Sequence, residues 1–300
     1  LKVEEGRYED IRECIGCNIC VSGDMTGSIS RCTQNTAFME EWRKGWHPDR
    51  ARPKGASESV LIVGAGPTGL EAALQAARRG YKVTLAEATT TLGGRVTKER
   101  HLPGLSAWGR VADFRTGQLA PMPNVEIYRD SPLAPEDLLA MGADHIAIAS
   151  GATWRRDAVA RLHLHGVPTD PRMPLFTPDD LMAGLCPEDQ TVTLYDDDHY
   201  YMGSVLAELL VQKGNRVHFV TPAVKVAEWT DNTLEQGTIM RRLLEIGVEI
   251  HFSKAPEAVY VASYLSAPLI KWAFHVPSFL NFHSYTLSDG KRWRNASSTA

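Results

Sequence analysis

Four of the five cysteines in this 300-residue chain are concentrated in the segment ECIGCNICVSGDMTGSISRC near its start. Three thiols recur at every third residue and a fourth follows further along, a pattern typical of the ligands of a 4Fe-4S cluster, whose irons each take one thiolate. Gly16 favours the tight wrapping that would turn the first three sulfurs inward. The spacing therefore predicts a 4Fe-4S cluster held by Cys14, Cys17, Cys20 and Cys32.

Two other uses of these cysteines remain open from the residues alone. Structural zinc usually takes two separated pairs of ligands, which three evenly spaced cysteines match poorly. Disulfides between cysteines three residues apart would be strained, and they are rare in a reducing compartment. The fifth cysteine, Cys186, is predicted to be a small buried apolar residue rather than a ligand.

A glycine-rich turn is the second candidate site. In the segment SVLIVGAGPTGLEAALQAARRGYKVTLAEA, the apolar run at residues 60–63 predicts a buried strand, and Gly64, Gly66 and Gly69 follow as G-x-G-x-x-G. A helical pattern and a second strand come next, and the second strand ends at Glu87. Strand, glycine turn, helix and strand in this order are typical of a dinucleotide-binding unit.

Each part of this unit has a physical role in holding a nucleotide. Gly64 allows the tight turn, Gly66 lets the backbone approach a pyrophosphate, and Gly69 lets the helix pack closely on the strand. The N-terminus of the helix offers N–H groups to the anion. Glu87 can accept a hydrogen bond from a ribose hydroxyl and would repel a 2'-phosphate. The pattern therefore predicts an adenosine diphosphate moiety without that phosphate, with a merely structural glycine turn as the alternative.

Two further segments of this half favour the same ligand edge. TLGGRV, residues 91–96, is a loop in which Gly93 and Gly94 would let the backbone approach a phosphate or a sugar. The strand in HIAIASGAT, residues 145–153, is expected to deliver another loop to that edge. Ordinary turn chemistry also explains each of these segments when it is taken alone.

The composition is that of a globular protein of one or two domains, with 43% hydrophobic and 23% charged residues. The net charge of -4 and the even spread of Lys and Arg argue against a nucleic-acid partner. The sequence contains neither an apolar run of about eighteen residues nor the pattern of a signal peptide. We therefore expect no membrane association and a cytoplasmic location.

From residue 190 the chain repeats the strand, helix and strand pattern without the glycines. A helix over residues 202–213 and a strand over Arg216–Val220 are predicted. The intervening turn holds Asp196, Asp197 and Asp198, whose negative charges would repel a pyrophosphate. We interpret this half as a nucleotide-binding-like domain that has lost its nucleotide, and the three carboxylates as solvated turn residues rather than a metal site.

Together these motifs resemble the C-terminal portion of the iron-sulfur flavoprotein dehydrogenases. This group includes the trimethylamine, dimethylamine and histamine dehydrogenases, within the old-yellow-enzyme-like NADH:flavin oxidoreductases. The segments that carry the resemblance are ECIGCNIC, CTQN, GWHPDR, VLIVGAGPTGLEAA, LGGRV, LPGL and DDDHYYMG, which together cover roughly residues 10–254.

The resemblance implies an oxidoreductase of the amine dehydrogenase type. Electrons would pass singly from FMN on an N-terminal TIM barrel, through the 4Fe-4S cluster, to an electron-transferring flavoprotein, and the full-length enzyme would be a homodimer. ADP or FAD would lie in the first Rossmann-like domain. Because the FMN and the substrate pocket belong to the barrel, no catalytic residue can be named in this chain. Carried onto this sequence, the adenine-nucleotide contacts are Gly64, Gly66, Gly69, Glu87, Gly94 and Arg95.

The predicted fold class is α/β, a cluster-binding N-terminal arm followed by two Rossmann-like three-layer domains, as a fragment lacking the TIM barrel. The arm and a connector take residues 1–56, the ADP/FAD-binding domain residues 57–188 and the degenerate second domain residues 189–254. Residues 255–300 form an unassigned tail that stops resembling the family and is expected to pack poorly.

Two other functions are compatible with the sequence. One is an NAD(P)H-dependent enoate or dienoyl-CoA reductase that carries FAD, FMN and a 4Fe-4S cluster; the missing second glycine fingerprint disfavours it. The other is a nucleotide-binding module with structural zinc and no catalysis.

Overall fold

The computed structural model describes residues 2–40, 42–43, 51–157, 159–161, 164–256 and 294–295. It divides into two compact units, Leu1–Ala152 and Thr153–Ala300. We call these the first and the second unit and describe each by itself. Both are built of helices and parallel strands, which confirms the predicted α/β class.

The first unit contains a parallel sheet of four strands in the order β3-β2-β1-β4. Helices lie between consecutive strands in the chain, as connections between parallel strands require. The strands are β1 (Ser59–Val63), β2 (Lys82–Ala86), β3 (Val125–Tyr128) and β4 (His145–Ile148). The helices are α1 (Ile19–Met25), α2 (Pro67–Arg78), α3 (Val96–Glu99), α4 (Arg110–Leu119) and α5 (Pro135–Ala140).

The core of the first unit lies between the sheet and helices α2 and α4. Helix α2 buries residues at helical spacing, Leu70, Ala73, Leu74 and Ala77, which form one apolar stripe. This stripe belongs to one hydrophobic cluster with Ile62 of β1. The same cluster contains Ile15 and partly buried Cys17, so the segment that we call the cysteine arm (residues 13–34) is anchored on this core.

The second unit contains a parallel sheet of three strands in the order β5-β6-β7. Strands β5 and β6 are buried along almost their whole length, as parallel strands covered on both faces are. The strands are β5 (Thr191–Tyr195), β6 (Arg216–Val220) and β7 (Glu249–His251), and the helices are α6 (Pro178–Met182), α7 (Tyr201–Gln212) and α8 (Gln236–Glu245). The short strands β8 (Lys254–Ala255) and β9 (Arg294–Asn295) pair antiparallel.

The predicted strands over residues 60–63 and 216–220 and the predicted helix over residues 202–213 agree with β1, β6 and α7 to within one residue. Residues 44–50, which include GWHPDR, and most of the predicted tail from residue 257 onward lie outside the described residues. Within the part of the chain that the structure describes, no helix combines the length and the apolar character needed to cross a membrane.

Candidate functional site

The segment that we call the glycine turn (residues 64–69) connects β1 to α2. Gly64 has a φ of +98°, and a Cβ there would lie 2.4 Å from the carbonyl oxygen of Ala149, just after β4. A Cβ on Gly69 would lie 1.8 Å from the carbonyl oxygen of Gly64. Since real Cβ atoms do not approach so closely, both positions require glycine, for the turn at Gly64 and for close packing of the helix at Gly69.

Gly66 differs from the other two glycines because its side faces open space. A Cβ added there would meet no described atom within 4 Å. Helix α2 begins at Pro67 directly after Gly66 and has 12 residues, so the partial positive charge of its N-terminus lies beside this opening. An exposed backbone at the start of a helix is a geometry that binds phosphate groups.

The side chain of Glu87 stabilises the glycine turn through a hydrogen bond to its backbone. Its Oε2 accepts a hydrogen bond from the backbone N–H of Ala65 (2.8 Å), and its Oε1 accepts from the N–H (2.9 Å) and the hydroxyl (2.8 Å) of Thr89. Burial alone would raise the pKa of Glu87, but these three donors outweigh it and lower the pKa below its ordinary value. The ionised carboxylate can accept more than one hydrogen bond on each oxygen, so a ribose hydroxyl remains a possible donor.

The two loops predicted to share the ligand edge do adjoin the glycine turn. Gly93 donates its N–H to the carbonyl oxygen of Ala65 (2.8 Å), and a Cβ on Gly94, at a φ of +58°, would lie 3.0 Å from the Cα of Gly66. Arg95 donates a hydrogen bond to the carbonyl oxygen of Ala152. Arg95 therefore connects the 91–96 loop to the loop after β4.

None of the four cysteines of the cysteine arm is in a disulfide bond. Backbone N–H groups donate to two of the sulfurs, from Gly16 to Cys14 (3.3 Å) and from Gln34 to Cys32 (3.4 Å). The sulfur of Cys17 lies 3.2 Å from the hydroxyl of Thr33, so the first part of the arm lies beside the residue that follows Cys32. The fourth thiol, of Cys20, lies in helix α1.

The cysteine arm is supported by a buried arginine, Arg115, whose role the sequence did not reveal. The guanidinium of Arg115 on α4 donates to Oε1 of Gln34 (2.7 Å) and to a carboxylate oxygen of Glu71 on α2 (2.6 Å). Gln34 in turn donates to the carbonyl oxygen of Glu13 (3.2 Å). Burial lowers the pKa of Arg115, and the interactions of its guanidinium with Glu71 and the nearby Cys32 oppose that shift. The guanidinium therefore brings a positive charge near Cys32 and ties both ends of the arm to the two helices.

The turn after β5 in the second unit, which we call the aspartate turn (residues 196–199), is built differently. Oδ1 of Asp196 faces the N–H groups of Asp198 (3.3 Å) and His199 (3.4 Å). A Cβ on Gly203 of α7 would lie 2.7 Å from the carboxylate carbon of Asp196. The carboxylate of Asp196 therefore fills the space between strand β5 and the first turn of α7.

The expectation of a solvated aspartate turn is wrong for Asp196 and Asp197, which are both 4% exposed. Burial raises the pKa of Asp196 to about 7, and its Oδ2 has no hydrogen-bond partner among the described residues. Asp197 accepts from the N–H of Arg161 (2.6 Å) and lies 3.3 Å from Nε2 of His199, which raises the pKa of that imidazole. One oxygen of each carboxylate accepts from backbone N–H groups around the turn, which offsets part of the cost of burying it.

A parallel sheet with a glycine turn after its first strand and a helix N-terminus beside that turn defines an α/β fold of the kind that binds nucleotides. The matches to protein-family models agree with this class. Residues 59–120 match the family described as FAD dependent oxidoreductase. Residues 176–259 match the OYE-like second alpha/beta domain.

Several individual proteins are also similar to this chain. Dimethylamine dehydrogenase of Hyphomicrobium sp. (strain x) is 36% identical over 257 residues, which are 83% of this chain and 35% of that protein. The solved structure of histamine dehydrogenase from Rhizobium sp. 4-9 is 55% identical with a TM-score of 0.85, over 90% of this chain and 44% of that one. The solved structure of 6-hydroxypseudooxynicotine amine oxidase from Pseudomonas geniculata N1 is 45% identical with a TM-score of 0.83, over 86% and 39%.

The chain thus belongs with the dimethylamine and histamine dehydrogenase-like oxidoreductases, and the resemblance drawn from its motifs is confirmed. It spans less than half of the length of the relatives just described.

Proposed function

We propose that this chain is the electron-transfer portion of an amine-oxidising iron-sulfur flavoprotein. In this proposal the cysteine arm holds a 4Fe-4S cluster, and the two units are Rossmann-like domains of which only the first binds ADP or FAD. The observation that carries the proposal is that the cysteine arm and the glycine turn share one hydrophobic core, through Ile15 of the arm and Ala65 of the turn. A redox group and a nucleotide held on one core would have fixed positions relative to each other.

The donor set of the arm fits an iron-sulfur cluster. None of the four cysteines is in a disulfide bond, and the backbone donors at Gly16 and Gln34 already point at two of the sulfurs. A cluster held by Cys14, Cys17, Cys20 and Cys32 would accept and release one electron at a time. Hydrogen bonds to sulfur and nearby positive charge stabilise the electron-rich state, so the arm's N–H groups and Arg115 would raise the reduction potential.

The glycine turn fits the diphosphate of ADP or FAD. Gly66 leaves its backbone open beside the N-terminus of α2, while Gly64 and Gly69 fix the shape of the turn. Glu87 would accept from a ribose hydroxyl, and its negative charge would disfavour a 2'-phosphate. Gly94 and Arg95 complete the set of proposed contacts, from the loop that adjoins Gly66.

The second unit is not proposed to bind a nicotinamide nucleotide, because the carboxylate of Asp196 takes the place where a diphosphate would lie. This favours an amine dehydrogenase over an NAD(P)H-dependent reductase. The FMN that receives electrons from the amine would lie on a TIM barrel outside this chain. The acceptor would be an electron-transferring flavoprotein, and the complete enzyme a cytoplasmic homodimer.

Anaerobic reconstitution of the chain with ferrous iron and sulfide tests the cluster directly. We expect about four irons and four acid-labile sulfides per chain, with the brown absorbance of a 4Fe-4S cluster. The variant Cys17→Ser should lose iron and colour. Cys186→Ser is the matched control and should keep both, since Cys186 lies outside the arm. Colourless protein that binds zinc in place of iron would reject the proposal.

A further inference from the structure

Two histidines and a glutamate meet on one face of the second unit's sheet. His218 lies on β6, and Glu249 and His251 lie on the neighbouring strand β7. The parallel register pairs His218 with Glu249 and Val220 with His251. Since side chains two residues apart on a strand point to the same side, this register brings the three side chains together.

The distances between the three side chains suit a metal ion. Nδ1 of His218 lies 3.3 Å from Nε2 of His251. Glu249 directs one oxygen to each ring, with Oε2 3.4 Å from Nδ1 of His218 and Oε1 3.4 Å from Nε2 of His251. One ligand atom from each residue can be chosen so that all three lie within 4.8 Å of one another. Ligand atoms on a tetrahedral zinc ion, with bonds of about 2.0–2.1 Å, are about 3.4 Å apart.

We propose that His218, Glu249 and His251 form a binding site for a divalent transition metal of the zinc class, which we call the His–Glu site. Two imidazole nitrogens and one carboxylate form a ligand set that zinc takes in proteins, with a further position left for water. His218 is buried and the two rings stack with an interplanar angle of 20°, so the ligands are held before the metal arrives. The site stands independently of the function proposed above.

The guanidinium of Arg216 is a neighbouring positive charge that opposes a cation at this site. Arg216 donates toward Oε2 of Glu249, with 3.1 Å between Nη2 and that oxygen. The arginine side chain is 70% exposed, so it can turn into solvent when a dication takes the carboxylate. Without a metal, the hydrogen bond between the two rings and the charge of Glu249 hold the three side chains together. A zinc titration distinguishes the two roles, because only a metal site binds zinc with an affinity that depends on these three side chains.

The experiment is a calorimetric titration with Zn²⁺ of the chain that carries Cys14→Ser, Cys17→Ser, Cys20→Ser and Cys32→Ser, because the thiols would otherwise compete for zinc. We expect one zinc per chain. Adding Glu249→Gln or His251→Ala should weaken binding at least about tenfold, since even the loss of an outer partner of a metal ligand costs that much. Glu249 is partly exposed, so its amide variant should remain folded.

The matched control is His145→Ala. His145 forms an exposed pair with Glu58, with 2.6 Å between Nε2 and Oε2, and the described residues offer no third ligand beside it. This variant should bind zinc as its parent does. If the serine chain does not fold, Co²⁺ added to the unmodified chain gives a second measurement, because thiolate ligation produces an intense charge-transfer band that nitrogen and oxygen ligands do not. A zinc affinity that Glu249→Gln and His251→Ala leave unchanged, or a cobalt spectrum that they do not alter, would overturn the proposal.

Discussion

The glycine turn and the aspartate turn occupy equivalent places in their own units. Each follows the first strand of a parallel sheet and leads into a helix of 12 residues, α2 in one case and α7 in the other. In the first unit the turn is open at Gly66, where an added Cβ would touch nothing within 4 Å. In the second unit the carboxylate of Asp196 lies against Gly203 and fills the turn.

The difference shows two ways of satisfying the same piece of backbone. The N–H groups of such a turn and of the helix start that follows it need acceptors, and either a bound anion or a side chain can supply them. Asp196 faces the N–H groups of Asp198 and His199 within the chain itself. In the first unit the acidic residue, Glu87, holds the turn from beneath and leaves its outer side open. In our proposal, the position of one carboxylate therefore distinguishes a turn that binds a nucleotide from one that does not.

The largest effect on stability is expected from Gly69→Ala. Its Cβ would lie 1.8 Å from the carbonyl oxygen of Gly64, so helix α2 would have to move away from β1. We expect a loss of about 4 kcal/mol or more in the free energy of unfolding, measured in urea. Gly117→Ala on α4 is the control, because a Cβ there meets nothing within 4 Å, and it should stabilise by up to about 1 kcal/mol. Equal effects of the two variants would contradict the packing described for the glycine turn.

A loss of about 3 kcal/mol is expected from Arg115→Ala. The substitution leaves Glu71 and Gln34 without the guanidinium that holds them beneath the cysteine arm. Arg100→Ala removes a partly exposed arginine that also pairs with a carboxylate, that of the exposed Asp113, and it should cost no more than about 1 kcal/mol. Urea unfolding measures the free energy of unfolding of the two variants. If Arg115→Ala is as stable as Arg100→Ala, the claim that Arg115 anchors the cysteine arm is contradicted.

Asp196→Asn is expected to change how the free energy of unfolding depends on pH, by on the order of 2 kcal/mol. Because the pKa of Asp196 is raised to about 7, the folded chain keeps a proton that the unfolded chain loses near pH 4. Stability should therefore fall as pH rises from about 4 through 7, and the raised pKa of His199 acts in the same direction at the upper end of this window.

Urea unfolding at a series of pH values measures this slope. The Asp196→Asn variant keeps an acceptor oxygen but no longer titrates, so its stability should decline less over the window. Asp231→Asn replaces an exposed carboxylate that pairs with Lys225, and its curve should run parallel to that of the parent chain. A decline in Asp196→Asn as steep as in the parent would show that the buried carboxylate does not titrate in this range.

Many elements of the fold can be predicted from local sequence patterns. The apolar run of β1, the glycines at fixed spacing and the helical stripe of α2 are short-range patterns, and each predicts its own element. The cysteine spacing is local in the same way. Patterns of this kind identified the glycine turn, the loop at residues 91–96 and the absence of a second glycine turn.

The remaining contacts depend on which segments meet in space. Arg115 finds Gln34 across 81 positions of sequence, and Glu87 bonds to Ala65 across 22. The burial of Asp196 depends on the packing of α7 against β5, and the meeting of His218 with His251 depends on the register between two parallel strands. No local pattern encodes such distances, so the sequence could suggest the residues but not these partners.

Titration of the chain with ADP tests the contrast between the two turns most directly. We expect one ADP to bind per chain. Gly66→Ala should lower the ADP affinity at least tenfold, because a methyl group would occupy the opening beside the helix N-terminus. Asp196→Asn should leave the ADP affinity unchanged. The stability of Gly66→Ala should stay within about 1 kcal/mol of the parent, because the added Cβ meets no described atom. ADP that binds Gly66→Ala as tightly as the parent chain, or that depends on Asp196 instead, would contradict the assignment of the nucleotide to the first unit.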